Sequence, residues 1–95
     1  MNNQLCLFVD YDHAFDYLAY LQIKLRKFGG EDDLDDFHRC KNILEFQIGE
    51  KLVNNIMRSK EYENLVSYYD KHIDNYYKQN HSIREILRKK YFKDE

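Results

Sequence analysis

Proline is absent from this chain of 95 residues, and glycine occurs at only three positions. Both residue types commonly interrupt helices, so a chain almost free of them can form long ones. Apolar residues recur at intervals of three and four along most of the sequence, which is the spacing of one helix face. We therefore predict an all-α protein with one helical domain, residues 1–95. The predicted architecture is a compact antiparallel bundle of three long helices plus a short C-terminal helix.

The first predicted helix runs from Tyr11 to Phe28 and ends at Gly29-Gly30, because glycine commonly follows a helix C-terminus. Its apolar positions share one arc: Phe8, Tyr11, Phe15, Leu18, Leu21 and Leu25. Asp12, His13 and Asp16 fall on the side expected to face solvent. The preceding segment Leu5–Val9 is apolar on every side, and the pattern leaves open whether it is helical or extended.

The second predicted helix begins near Asp32 and continues to about Met57. It carries two apolar stripes on roughly opposite sides. The first contains Leu34, Phe37, Leu44, Ile48, Leu52 and Ile56, and the second contains Ile43, Phe46, Val53 and Met57. Because packing on a single core needs only one stripe, two stripes predict a central helix or a helix with one face left for a partner.

Ser59 is the expected N-cap of a third helix. The apolar face of that helix contains Tyr62, Leu65, Val66, Tyr69, Ile73 and Tyr76, and Asn80 and His81 interrupt it. Tyr68 stands alone on its polar side, where an exposed aromatic side chain is typical of a contact surface. Ser82 to Glu85 then has the pattern of a capping box, which predicts a short last helix to about Phe92.

Charge and cysteine content exclude several functions. The net charge is −2 and the sequence pI is near 6.1, values that suit neither an acidic DNA mimic nor a general nucleic-acid binder. The two cysteines, Cys6 and Cys40, form no CxxC pattern, which favours a reducing compartment. We find neither a signal peptide nor an apolar run long enough to span a membrane. We therefore expect a soluble cytoplasmic protein.

An enzymatic interpretation would begin at Asp10 and Asp12, which follow the apolar run Leu5–Val9. A strand that ends in two carboxylates resembles the start of haloacid-dehalogenase-like phosphatases, and the resemblance implies Mg²⁺ and a phosphate at those residues. That chemistry needs a parallel sheet with further strands, each reached by a long crossover connection. Nothing after residue 11 has the pattern of a strand. We therefore expect no enzymatic activity and no catalytic residues.

Metal and cofactor sites are not predicted either. The four histidines stand at positions 13, 38, 72 and 81, without the spacing of a helical metal motif. His38 and Cys40 are two residues apart and point away from each other on a helix. His13 and Asp16 could share an ion, but a zinc site needs a third protein ligand.

The segment SKEYEN, from Ser59 to Asn64, matches the pattern S/T-x-x-x-E-G/N. It resembles the inhibitory helix that keeps Fic-family AMP-transferases silent, in which a glutamate pairs with an arginine needed for ATP binding. The resemblance covers six residues. It implies that Ser59, Glu63 and Asn64 would form an inhibitory motif, with Glu63 as the inhibitory glutamate.

The C-terminal helix is basic, with Arg84, Arg88, Lys89 and Lys90 near the aromatic pair Tyr91-Phe92. Cations interleaved with aromatic residues can contact phosphates and stack on bases, which makes nucleic-acid binding an alternative. The competing interpretation is that cations near a helix C-terminus stabilise the helix dipole and stay solvated.

The hypothesis that we favour is a small non-enzymatic regulatory or inhibitory protein that binds another protein, as antitoxins, immunity proteins and phage anti-defence proteins do. A homodimer is a further expectation, and a membrane partner is not expected. The residues predicted to contact the partner are the second stripe and the lone tyrosine: Ile43, Phe46, Val53, Met57 and Tyr68.

Overall fold

A computed structural model describes residues 10–73 and 81–92 of the chain. Within these ranges it forms five α-helices and no β-strand: α1 (Tyr11–Phe28), α2 (Glu31–Ile48), α3 (Glu50–Met57), α4 (Lys60–Lys71) and α5 (His81–Tyr91). The all-α prediction is confirmed. The predicted number of helices is wrong, because the second predicted helix is two. None of the described helices is long and apolar enough to cross a lipid bilayer. The expectations for Leu5–Val9, Cys6, Tyr76 and Asn80 concern positions outside the described ranges.

Gly49 is the residue that separates α2 from α3. Its backbone has φ 95° and ψ 144°, a conformation that is essentially restricted to glycine. Hydrogen bonds continue on both sides: the Gly49 N–H donates to the Glu45 carbonyl at 2.9 Å, and the Val53 N–H donates to the Gly49 carbonyl at 3.1 Å. The break therefore changes the course of the chain at little cost in hydrogen bonds, and α3 packs against α4, which α2 does not touch.

Two of the predicted helix ends are confirmed. Gly29 has the left-handed conformation at φ 65° and its N–H donates to the Leu25 carbonyl at 2.8 Å, which ends α1. Ser59 is the N-cap of α4, and its Oγ accepts a hydrogen bond from the Tyr62 N–H at 3.2 Å. The last helix, α5, begins at His81, so Ser82 lies inside it instead of capping it.

The central helix of the bundle is α1, and not the second predicted helix. It packs against α2, α4 and α5. Its buried side chains are Ala14, Phe15, Asp16, Leu18, Ala19, Leu21 and Ile23, which cover more than half of the helix circumference. A wide buried surface is what a helix surrounded by neighbours requires. The arc predicted from the sequence was narrower because it left out Asp16, Ile23 and the two alanines.

The other helices complete the core around α1. They contribute Cys40 and Leu44 from α2, Val53 and Ile56 from α3, Tyr62, Leu65 and Tyr69 from α4, and Leu87 from α5, with Phe92 just beyond it. Asp33 is also buried, and its carboxylate lies 3.3 Å from Nζ of Lys24, an ion pair between α2 and α1. The core is thus assembled from all five helices.

Candidate functional site

The predicted partner stripe is divided between two helices. Ile43 and Phe46 belong to α2, and Val53 and Met57 belong to α3 beyond the break at Gly49. Phe46 is 72% exposed and Ile43 is half-buried, whereas Val53 is fully buried and Met57 packs against the core. The expectation of one continuous outer stripe is therefore wrong, because it required a straight helix through residue 49.

The part of the stripe that stays outside is the outer face of α2, formed by Ile43 and Phe46. These residues are three apart and therefore neighbours on the helix surface. Among the described helices, α2 contacts only α1 and α3. A phenylalanine ring exposed to this degree leaves most of its apolar area in water.

Tyr68 does not stand alone in solvent. It is half-buried and packs against the core, with its ring centroid 5.2 Å from that of Tyr69 and 4.9 Å from that of His72. Its expected role as an exposed contact residue is not what the structure shows.

Three further apolar side chains are exposed, and none of them was predicted to be a contact residue. Phe28 is 65% exposed at the end of α1, Leu34 is 42% exposed in the first turn of α2, and Ile86 is 54% exposed on α5. Leu34 belongs to the first predicted stripe, but unlike Leu44 and Ile56 of that stripe it is exposed. Phe28 and Leu34 lie at helix ends beside the glycine turn. Whether a side chain at a helix end is covered depends on how far the neighbouring helix extends, which the spacing of apolar residues does not encode.

The three residues of the proposed inhibitory motif have different surroundings. Ser59 has a structural role, since its hydroxyl accepts from the Tyr62 N–H and donates to the Ile56 carbonyl at 2.6 Å. Glu63 and Asn64 are exposed on α4. Within residues 10–73 and 81–92, the Glu63 carboxylate takes part in no ion pair.

An open cleft of about 540 Å³ lies between α1 and the turn from α3 to α4. Its lining brings together three residues that the sequence had singled out, Met57, Ser59 and Glu63, with Gln22, Arg26, Arg58, Tyr62 and Val66. We call this the α1–α4 cleft. Among its lining residues Tyr62 is the buried one, and its hydroxyl donates to Oε1 of Gln22 at 2.8 Å. Burial raises the pKa of this phenol above its ordinary value, so it remains a neutral donor.

Arg26 and Arg58 are residues of the cleft that sequence reasoning missed. Both are exposed, and neither guanidinium pairs with a carboxylate in the described part of the chain. Arg26 lies in the last turn of α1 and Arg58 is the C-cap of α3. Cations are common at such positions because they complement the helix dipole, so nothing in the sequence distinguished them.

The basic residues of α5 each lie beside a carboxylate. Nε of Arg84 is 3.9 Å from Oδ2 of Asp16, and Nζ of Lys90 is 3.4 Å from Oε1 of Glu61. Arg88 and Lys89 both approach Oε2 of Glu85, at 3.8 and 3.6 Å. A phosphate would therefore compete with an existing carboxylate at every one of these cations.

Asp16 is buried, so its predicted position on the solvent-facing side of α1 is wrong. Tyr69 and Arg84 contact its carboxylate, whereas His13 is exposed and Asp12 is half-buried. Over residues 10–73 and 81–92, no three histidine, cysteine or acidic side chains come together in a way that could hold a metal ion.

The chain was compared with protein-family models, with curated proteins and with solved structures, and none of the three comparisons gave a match. In residues 10–73 and 81–92, the outer face of α2 and the α1–α4 cleft are the candidate sites.

Proposed function

We propose that this is a small non-enzymatic regulatory or inhibitory protein of the cytoplasm that acts by binding another protein, in the manner of antitoxin, immunity or phage anti-defence proteins. The observation that supports the proposal is Phe46, 72% exposed beside Ile43 on the outer face of α2. Removing such a ring from water contributes roughly 1.5–3 kcal/mol to association. Aromatic side chains are also enriched at the centres of protein interfaces.

A single exposed apolar residue is common on monomeric proteins and needs no explanation. Here, however, three of the four large hydrophobic side chains exposed in the described ranges belong to α1 and α2, namely Phe28, Leu34 and Phe46. The fourth, Ile86, is on α5. The pair of helices α1 and α2 is therefore the part of the molecule that we expect to contact the partner.

The proposal is tested by affinity purification from the native cell with the wild type and two variants. Phe46→Asp places a charge on the outer face of α2, and Ile86→Asp places the same charge at a similarly exposed position on α5. We expect Phe46→Asp to abolish capture of the partner and Ile86→Asp to retain it, with both variants folded by circular dichroism. If both variants capture the same protein in the same amount, the outer face of α2 is not the contact. Light scattering on the same samples reports whether the partner is a second copy of the chain.

A second candidate function is inhibition of a Fic-type AMP-transferase through Ser59, Glu63 and Asn64. The observation that favours it is that Glu63 is exposed and takes part in no ion pair within the described ranges, so its carboxylate is accessible to an arginine of another protein. With a co-encoded enzyme, Glu63→Gly and Glu63→Gln should both release AMP transfer. Glu63→Gln preserves helix propensity, so release by Glu63→Gly alone would indicate a folding effect and contradict the hypothesis.

A further inference from the structure

The α1–α4 cleft differs in its charges from the rest of the described residues. In the described ranges every other arginine lies beside a carboxylate: Arg39 beside Asp36, Arg84 beside Asp16, and Arg88 beside Glu85. The two arginines without such a partner, Arg26 and Arg58, line the same cleft. Two guanidinium groups at one site are the arrangement that proteins use to bind carboxylates and phosphates.

The other residues that line the cleft restrict the class of ligand that it can bind. Met57 and Val66 are half-buried apolar residues, and Tyr62 is buried among the lining residues, so the cleft also offers apolar contact. Glu63 lines it as well and adds a negative charge, which opposes a doubly charged phosphate but can accept a hydrogen bond from a peptide N–H. The volume of about 540 Å³ is within the range of pockets that bind small ligands and short segments.

We infer that the α1–α4 cleft binds a peptide segment of a partner protein in which a carboxylate side chain stands beside a large apolar one. The carboxylate pairs with Arg26 and Arg58, and the apolar side chain packs on Met57 and Val66. Charge complementarity and the apolar lining of the cleft both favour this occupant. This surface is separate from the outer face of α2, so the inference and the proposed function can fail independently.

The test is a titration of the isotope-labelled full chain, followed by amide chemical shifts. The probe is the peptide acetyl-Glu-Leu-Phe-amide, and the matched control peptide has glutamine in place of the glutamate. We expect the glutamate peptide to shift the amide signals of Gln22, Ser59 and Tyr62 with a dissociation constant of about 1 mM, and the glutamine peptide to bind about tenfold more weakly.

Two double variants separate the cleft from general electrostatics. Arg26→Gln with Arg58→Gln removes both cleft arginines, and Lys51→Gln with Lys60→Gln removes two exposed cations that also lack ion pairs in the described ranges but do not line the cleft. The double arginine variant should bind the glutamate peptide about tenfold more weakly than the wild type. The double lysine variant should change the affinity for this peptide by less than about twofold. Each variant is checked for a spectrum that retains the native signal dispersion.

Three results would overturn the inference. The first is equal binding of the two peptides, or equal weakening of binding by the two double variants. Either result would mean that Arg26 and Arg58 only stabilise the C-terminal ends of their helices. The second is an absence of shifts up to about 5 mM peptide. The third is an equal set of shifts with inorganic phosphate at the same concentration, which would make the cleft a general anion site.

Discussion

The hydroxyl of Tyr69 donates a hydrogen bond to Oδ1 of Asp16 at 2.8 Å, and both side chains are buried where α4 packs against α1. Arg84 extends this contact to α5, with Nε 3.9 Å from Oδ2 of Asp16 and Nη1 2.8 Å from Nδ1 of His13. Because a guanidinium only donates, the histidine Nδ1 is the acceptor. A polar cluster thus joins three helices, and it extends from buried Asp16 and Tyr69 outward to exposed His13.

Removing the Tyr69 hydroxyl should destabilise the fold. Tyr69→Phe deletes a donor to a buried carboxylate, and we expect a loss of about 1–3 kcal/mol in the free energy of unfolding, measured by urea denaturation. The control is Tyr68→Phe, at a half-buried tyrosine that packs through its ring. That variant should change stability by less than about 0.5 kcal/mol. Equal losses in the two variants would contradict the role assigned to the hydrogen bond.

The break between α2 and α3 should depend on the backbone of Gly49. A Cβ at this position would meet no atom within 4 Å, so the cost of Gly49→Ala comes only from the positive φ of 95°. We expect a loss of about 1–3 kcal/mol in the free energy of unfolding, without a gain in helix content by circular dichroism. Gly30→Ala, at a φ of −77°, should cost less than about 1 kcal/mol through its weaker N-cap. A gain in stability for Gly49→Ala would indicate that the helix can run straight through this residue.

Stability should fall at alkaline pH because of Cys40. Burial raises the pKa of its thiol from 9.0 to about 12, so above pH 9 the unfolded chain releases a proton that the native protein retains. The contribution of Cys40 to the free energy of unfolding is therefore complete below pH 9. It is lost as the pH rises toward about 12, at about 1.4 kcal/mol per pH unit.

The measurement is the free energy of unfolding from pH 8 upward, in a Cys6→Ser background so that one thiol titrates. Cys40→Ala should show a shallower decline, while the tyrosines contribute equally to both curves. Parallel curves for the two proteins would mean that the Cys40 thiol ionises as readily in the folded chain as in the unfolded one.

Val53 and Phe46, which lie on the two sides of the Gly49 break in the predicted second stripe, should differ in their response to a charge. Val53 is fully buried, so Val53→Asp introduces a carboxylate into the core and should cost more than about 3 kcal/mol, a large part of the stability of a small domain. Phe46→Asp should change stability by less than about 1 kcal/mol, because the ring is 72% exposed. Thermal unfolding followed by circular dichroism checks both variants. Similar melting temperatures for the two would contradict the separation of α2 from α3.

Local sequence signals predicted the helices and several of their ends. The Gly29-Gly30 turn and the Ser59 N-cap both lie at their predicted positions. Such caps could be predicted because they depend on backbone groups within four residues. Gly49 was not predicted to be a helix break, since a single glycine inside a helical pattern is often tolerated. Whether such a glycine bends the chain depends on what the following residues pack against, and here α3 packs on α4.

The candidate site was predicted less well than the helices. Glu63 was predicted from its position off the apolar face of its helix, and Phe46 from its place in the second stripe; the structure exposes both side chains. Arg26 and Arg58 were not found, since the cleft that joins them exists only after α1, α3 and α4 have packed together. No spacing in the sequence relates two residues on different helices.

The sequence by itself determined that this chain is helical, because the absence of proline and the three- and four-residue spacing of apolar side chains act within single helices. Only the tertiary structure decided that α1 is central, that Val53 is buried while Phe46 is exposed, and that Asp16 lies inside. An aspartate on a helix is normally solvated, and it can be buried only when partners satisfy its charge. For Asp16 one such partner is Tyr69, which stands 53 residues away along the chain and reaches it only after the helices have packed.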